Sequence, residues 1–417
     1  MLEPLKSSHK SCETGSLSDN KNNKRIRLLN IGKYYFPVIG GIEQVVQQLS
    51  EGLQSYIDVQ VVVCNTENKD VNDKINSVDV SRCGKIVTLA SMPVSLSYIK
   101  KVCKLSQNAD ILLLHMPYPI ADLALLLSKF RGKVILWWHS DVVRQKRLLW
   151  LYRPLLWRTL KRADSIIVAT ENHITESEFL KKYRNKCKIV PYGVSQDVLN
   201  FSNVYLANCD KKENKIKDKI KDKIKDKIKD EKKHKYVNFL FVGRLVYYKG
   251  CDVLLNAFAT MKDKSCYLTL VGDGKLLDTF KKLANSLKIQ DRVFFLRNLS
   301  RNELCVQFSN CDVFVLPSVV KSEAFGLVQI EVMSFGKPVI NTKLPSGVSH
   351  VSIDGVTGIT VLPKSVPMLR DAMDKLASNQ ELRERLGNGA RRRVEEMFNE
   401  KTMLKQTMQV IDSLSSK

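Results

Sequence analysis

The sequence lacks several features that would settle its class at once. Its most apolar region, Ile111 to Leu127, is broken by Pro117, Pro119 and Asp122. That stretch reads as a strand, a loop and a helix, and excludes a membrane span there. The first residues, Met1 to Lys24, are rich in Ser, Asn and Lys without an apolar core. They predict a disordered polar tail and no secretory signal. The ten cysteines, Cys64, Cys187, Cys251 and Cys311 among them, are scattered singly with no Cys-x-x-Cys pair. This argues against a disulfide framework or a cysteine-bound metal and predicts buried thiols in a reducing, cytoplasmic setting. The glycines near residue 40 do not follow Gly-x-Gly-x-x-Gly spacing, so dinucleotide binding has little support.

What is present describes an ordinary globular protein of two parts. A chain of 417 residues is too long for one comfortable core, and 44% hydrophobic with 26% charged residues suits a folded protein. The net charge of +24 points toward anionic partners: nucleic acid, anionic lipid or phosphorylated small molecules. Part of that charge sits in Lys215 to Asp230, tandem copies of Lys-Ile-Lys-Asp. One isoleucine per turn buries little, and no aromatic residue is present to stack on bases, so the tract reads as a solvated linker. It divides a polar tail (1–24), an N-terminal half (25–205), the linker itself (206–235), a C-terminal half (236–395) and a last helix (396–417).

Each half alternates β-rich runs with helical patterns, the signature of an α/β fold with helices covering parallel sheets. In the first half the expected strands are Ile26–Ile31, Val59–Cys64, Lys85–Leu89, Ile111–His115, Val134–His139, Ser165–Ala169 and Lys188–Val190, with a helix from Glu43 to Ser55. In the second they are Val237–Val242, Tyr267–Val271, Arg292–Leu296, Asp312–Leu316 and Pro338–Asn341.

The densest chemical signal is Lys321-Ser-Glu-Ala-Phe-Gly-Leu-Val-Gln-Ile-Glu331, followed by Ser334-Phe-Gly-Lys-Pro338. It follows a strand and opens a helix, which places it at the sheet edge where open α/β folds bind ligands. Backbone N–H groups from Ala324 to Leu327 are available to oxygens there, and Gly326 permits close approach. Glu323 in the loop and Glu331 two turns on can address different parts of one elongated ligand. Val242-Gly-Arg244 with Lys249-Gly250 supplies a guanidinium fork and a point charge at another strand end, a pairing that suits a diphosphate.

These segments resemble the retaining GT-B glycosyltransferases, specifically the large bacterial glycosyltransferase family 4, whose Glu-x7-Glu motif Glu323 and Glu331 reproduce. The resemblance runs from Arg25 to the C-terminus apart from the linker. It implies two Rossmann-like domains facing across a cleft, with a C-terminal helix packing back on the N-terminal domain. It also implies a nucleotide-sugar donor held by Gly40, Gly41, Arg244, Lys249, Arg297, Glu323, Ala324, Phe325, Gly326, Leu327 and Glu331. Glu323 is then assigned to the sugar hydroxyls, Glu331 to the ribose, Arg244 and Lys249 to the diphosphate, and His139 to the donor sugar. His115-Met-Pro-Tyr-Pro119 is expected to line the acceptor cleft. No metal or other cofactor is implied, since no Asp-x-Asp motif falls at the cleft.

The overall texture is similar to mannosyl- and rhamnosyltransferases of surface-polysaccharide (O-antigen type) synthesis. Pro345-Ser-Gly-Val348 departs from the Gly-Gly-x-x-Glu that many members carry, so GDP-mannose and UDP-sugars both remain open as donors. A polyprenyl-diphosphate-linked saccharide is the implied acceptor, on the cytoplasmic face of an anionic inner membrane and without nucleic acid as partner. Arg144 to Arg162 holds basic residues and no acid, with Trp150 and Trp157 seven apart, and is expected to meet that surface. A phosphorylase or epimerase of the same fold, and a basic nucleic-acid-binding protein, are the rival readings.

Overall fold

The computed structural model describes residues 25–89, 92–141, 146–210 and 236–415, so the polar tail and the Lys-Ile-Lys-Asp tract lie outside it. Short apolar runs bounded by turns become strands buried on both faces. Ile111–Met116 and Val313–Leu316 are buried at every position, as parallel strands covered by helices must be.

In the first half β1 (Arg27–Ile31), β2 (Asp58–Cys64), β3 (Val71–Ile75) and β4 (Val78–Cys83) come first. A separate antiparallel pair, β5 (Val87–Leu89) and β6 (Met92–Val94), follows. Then come β7 (Ile111–Met116), β8 (Lys133–Trp138), β9 (Ser165–Val168) and β10 (Cys187–Ile189). The eight-stranded sheet runs β10-β9-β8-β7-β1-β2-β4-β3, parallel except for the β3–β4 edge. The second half holds β11 (Asn238–Val242), β12 (Tyr267–Val271), β13 (Val293–Leu296), β14 (Val313–Leu316), β15 (Val339–Thr342) and β16 (Gly358–Val361). These form a six-stranded sheet, β13-β12-β11-β14-β15-β16, parallel throughout.

Three expectations need correction. The strand expected at Lys85–Leu89 is not in the main sheet; its place beside β2 is taken by β4, with β3 folded back on it. A sixth strand, β16, extends the second sheet beyond the five expected. The Lys146–Arg162 helix does leave Trp150 exposed, but Trp157 packs against Phe179 and Tyr183 with Lys182 over its ring. Residues of the next segment thus cover part of Trp157 and leave it half-buried.

Strand order reverses between β11 and β14, and ligands of doubly wound sheets sit at such a point, beyond the strands' C-terminal ends. The loops leaving β11 and β14 carry Arg244, Lys249 and Glu323. Gly250 lets those loops meet: at φ +68° it sits where an added Cβ would lie 2.1 Å from the Pro317 carbonyl oxygen.

The Glu400–Ser415 helix returns to the first half and packs on the Gly41–Leu53 helix, burying Met403, Val410 and Ile411. The chain reaches it through a strap in which Val194 N–H donates to the Phe398 carbonyl at 2.8 Å. Gly193 sits under this strap, and a Cβ there would lie 2.5 Å from Glu400 Cα. Backbone cannot yield as a side-chain tip can. Gly193→Ala is therefore expected to destabilise the fold by about 1–3 kcal/mol in urea unfolding, whereas Gly355→Ala, open on its Cβ side, meets only the strain of its positive φ.

Candidate active site

The centre of the cleft is a buried ion pair. Lys249 Nζ lies 2.5 Å from Glu323 Oε2, and the side chains are 11% and 10% exposed. Ser318 Oγ donates to the same oxygen at 2.9 Å. Oε1 of Glu323 has no hydrogen-bond donor among the described residues and is the oxygen open to a ligand. Lys249 ends the short Tyr247–Lys249 turn, and Tyr248 lies between the two cations: Arg244 donates to its hydroxyl at 2.7 Å, and Lys249 lies over its ring. Arg244 itself is exposed. Across the cleft Lys33 completes the basic wall. Burial lowers its pKa, Glu43 opposes this, and the field of Arg244 lowers it further. The sequence pattern had not marked Lys33, because its relation to Arg244 exists only after the sheets face each other.

Glu331 is held by both halves. Its Oε1 accepts from Arg301 Nη2 at 2.8 Å and from Gln44 Nε2 at 3.1 Å. Gln44 belongs to the helix opened by Gly40 and Gly41, and a Cβ on Gly41 would sit 3.0 Å from Leu327 Cδ1. The glycine-rich loop therefore faces the Glu-x7-Glu segment. Gly326 caps the Leu327–Met333 helix at φ +74°, where an added Cβ would meet Leu316 and Gln329. Ala324 is fixed through its carbonyl, which accepts from Gly347 N–H at 2.7 Å. Arg301 and Gln44 were not anticipated.

Other expected site residues are placed elsewhere. Arg297 is not joined to this group; it pairs with Asp273 at 2.6 Å on the exposed rim beyond β12. The Phe325 ring is buried, edge-on to Tyr192 at 4.8 Å and to Phe398 at 5.9 Å, so it cements the two halves. His115, expected in the acceptor cleft, is only 3% exposed. His139 is 5% exposed, and both of its ring nitrogens are engaged within the protein.

That engagement can be followed proton by proton. Ser50 Oγ donates to the Val46 carbonyl, so it accepts from Asn30 Nδ2. Asn30 Oδ1 must then accept from His115 Nε2, at 2.9 Å. Burial pushes His115 down to about 3, so it is neutral and its Nδ1 accepts from His139 Nε2 at 2.8 Å. His139, also held neutral by burial, presents Nδ1 to the Tyr192 hydroxyl at 2.7 Å. One backbone carbonyl thus fixes both tautomers. In this arrangement the imidazole of His139 has neither a proton nor a lone pair left for a sugar; it aligns Tyr192, Trp137 and the end of β8.

Two doubly wound sheets facing across a cleft, with a C-terminal helix returned to the first half, define the GT-B architecture. Comparison with known proteins makes the class specific. The family described as Glycosyl transferases group 1 matches residues 221–393, and Glycosyltransferase Family 4 matches residues 39–198. The chain is 30% identical to the O-antigen chain mannosyltransferase C of Escherichia coli, over 89% of this chain and 94% of that one. It is likewise 30% identical to the D-rhamnosyltransferase WbpZ of Pseudomonas aeruginosa, over 89% of this chain and 92% of that one. Among solved structures, Anabaena HepE in complex with UDP-glucose superposes with a TM-score of 0.73 at 17% identity, covering 94% of this chain and 100% of that one. The chain belongs to the GT-B glycosyltransferases of group 1 and family 4.

The buried histidines give a pH signature. His115 is unprotonated when folded down to about pH 3, whereas unfolded it binds a proton below about 6.5. Its contribution to stability is therefore complete above pH 6.5 and is lost as pH falls, by about 1.4 kcal/mol per unit. Asp122, pushed up to about 7 by burial, acts in the opposite sense, so the difference between variants is the readable quantity. His115→Asn is expected to flatten the slope of unfolding free energy between pH 4 and 6.5 by about one proton, measured by urea titration.

Proposed function

We propose that the protein transfers a hexose, with mannose from GDP-mannose as the first choice, onto a polyprenyl-diphosphate-linked saccharide with retention of configuration. The setting is assembly of a bacterial surface polysaccharide of O-antigen type at the cytoplasmic face of the membrane. The observation that carries this reading is the buried Lys249–Glu323 pair at the strand switch point, faced by Gly41 and Gln44 of the opposite half. The mannosyltransferase relative supports mannose, and the rhamnosyltransferase relative, at equal identity, supports a deoxyhexose as the second reading.

A diphosphate laid against Arg244 and Lys249 would draw the ammonium from Glu323. The carboxylate then takes sugar hydroxyls, aided by backbone N–H groups from Ala324 to Leu327. Glu331 accepts from the ribose hydroxyls where Gln44 now donates. In the transfer step the acceptor oxygen bonds to the anomeric carbon on the face that the diphosphate leaves. The carbon–oxygen bond to phosphate breaks, and the acceptor proton passes to a leaving phosphate oxygen. Arg244 and Lys249 offset the charge left there in a cleft that excludes water. This reading uses no metal, no other cofactor and no nucleic acid.

The acceptor half offers a surface suited to a lipid-linked partner. Among the described residues no helix is long and apolar enough to cross a membrane. Instead, apolar side chains project from the segments that follow β1, β4 and β8, strands whose C-terminal ends share one sheet edge. Phe36 and Ile39, then Val87, Leu89 and Leu96, then Trp150 and Leu151 are all exposed, Ile39 by 95% and Trp150 by 73%. Lys100 and Lys104, one and two turns after Leu96 on its helix, are exposed as well. Apolar tips among cations suit an anionic bilayer, and this rim replaces the Trp157 face in that role.

Two measurements test the proposal. Screened for thermal stabilisation and hydrolysis, GDP-mannose is expected to respond, and Glu323→Ala to lower turnover by about 10²–10³-fold with nucleotide binding retained; a tight response to a UDP-sugar alone would reassign the donor. Val87→Asp with Leu89→Asp is expected to reduce partition onto anionic liposomes several-fold while leaving donor hydrolysis intact, and unchanged partition would remove the membrane role of this rim.

A further inference from the structure

Arg301 sits where the two halves meet, beside Glu331 and apart from the Lys249–Glu323 pair. It is the first residue of the Arg301–Asn310 helix, whose start is locked by a capping box. Ser300 Oγ accepts from Glu303 N–H at 3.3 Å, and Glu303 Oε2 accepts from Ser300 N–H at 2.8 Å. The helix start thus fixes where the guanidinium leaves the backbone.

One nitrogen of that guanidinium serves both halves. Nη2 carries two protons. It donates to Glu331 Oε1 of the second half at 2.8 Å and to Ser195 Oγ of the first at 3.1 Å. Ser195 adjoins Val194, the residue tied to the Phe398 carbonyl in the strap. Burial works against the Arg301 charge, Glu331 more than offsets this, and Asp197 of the first half adds to the effect. A planar fork that reaches two acceptors on different segments is what arginine supplies and a lysine point charge does not.

The two oxygens of Glu331 have different surroundings. Oε1 accepts from Arg301 and, at 3.1 Å, from Gln44. Oε2 has no hydrogen-bond donor among the described residues, yet it is not one of the buried polar atoms sealed from solvent. A ribose presents two neighbouring hydroxyls, which match the two oxygens of one carboxylate. When a ribose takes the place of Gln44, Oε1 receives one hydroxyl and Oε2 the other. Arg301 lies on the same half as Glu331 and stays. The carboxylate cannot then turn about its Cγ–Cδ bond without giving up a charge-assisted hydrogen bond.

We propose that Arg301 is a positioning residue for nucleotide selectivity: it holds the Glu331 carboxylate turned toward a vicinal diol, so the preference for ribonucleotides depends on it. Arg301 itself need not touch the nucleotide. The proposal rests on the glycosyltransferase reading, in which Glu331 meets the ribose, and it assigns a task to a side chain outside the Glu-x7-Glu segment.

Calorimetric titration of the full chain with GDP and with 2′,3′-dideoxy-GDP tests it. The wild-type protein is expected to prefer GDP by about tenfold or more, the worth of hydrogen bonds to a charged acceptor. In Arg301→Ala the preference is expected to shrink to about twofold or less, through weaker binding of GDP with dideoxy-GDP little changed. Arg301→Gln, which keeps part of the stem and loses the guanidinium, is expected to behave alike and serves should the first variant fold poorly. A role confined to folding of the helix start would weaken both nucleotides equally and leave their ratio as in wild type. An unchanged ratio in the variants would therefore overturn the proposal, as would a wild-type protein that binds both nucleotides equally. Should the wild type bind UDP and not GDP, the same pair in the uridine series gives the same readout. A wild-type protein that binds neither GDP nor UDP would remove the glycosyltransferase reading, and this proposal with it.

Discussion

The cleft is organised around one interaction, the contact between Lys249 and Glu323. Each side chain is almost fully buried, so each charge has lost most of its hydration, and among the described residues the partner, Ser318 and the Tyr248 ring compensate. Such a pair adds little net stability. Its weight lies in the cost of breaking it: an uncompensated charge at the switch point costs several kcal/mol. The pair forms because the loops leaving β11 and β14 are knit together, with Val319 N–H donating to the Tyr248 carbonyl at 2.8 Å and Gly250 passing beneath Pro317. The core of the second sheet beneath is apolar, with Phe239, Phe241 and Leu254 among its buried side chains. An anionic ligand can replace Glu323 at Lys249 without disturbing the strands beneath.

Much of this arrangement was legible in the sequence. Buried parallel strands announce themselves as short apolar runs, and the motif around Glu323 and Glu331 carries its strand and its helix start with it. The edge of the first sheet was not legible. Val71–Ile75 reads VNDKI and is half exposed, so its hydrophobic pattern is too weak to mark a strand. Lys85–Leu89 looked like a strand of the main sheet, and its Val87–Leu89 part is instead an exposed hairpin arm, a distinction that composition cannot make. Trp157 shows a similar limit. Helical spacing did put it in line with Trp150, but the groups that half-bury it arrive from Phe179 to Tyr183, one segment later.

The histidine chain was hidden for another reason. Its members, Asn30, Ser50, His115, His139 and Tyr192, come from separate segments that only the folded sheet brings together. Proton positions along it follow from a single backbone carbonyl, a constraint with no sequence signature. A histidine at a strand end in this kind of fold invites a catalytic assignment. The stacked rings of Trp137, His139 and Tyr192, with Phe325 set edge-on against the last, point instead to a rigid aromatic joint between the halves.

That joint and the strap differ in kind from the contacts that line the cleft. Phe398, Met403 and Ile411 are buried in the shared core, and each is worth roughly 1.5–3 kcal/mol relative to exposure. The cross-cleft contacts are polar: Gln44 with Glu331, Asn172 with the Ser346 carbonyl, Lys321 near Asp141. Hydrogen bonds of this type contribute about 0.5–1.5 kcal/mol each, and water can replace them when the cleft parts. Opening the cleft therefore costs a few polar exchanges while the strap holds, so the halves can separate at the site without coming apart as a molecule. The same comparison explains why the polar groups sit where a ligand would: a contact that water can replace is one that a sugar or phosphate can replace as well.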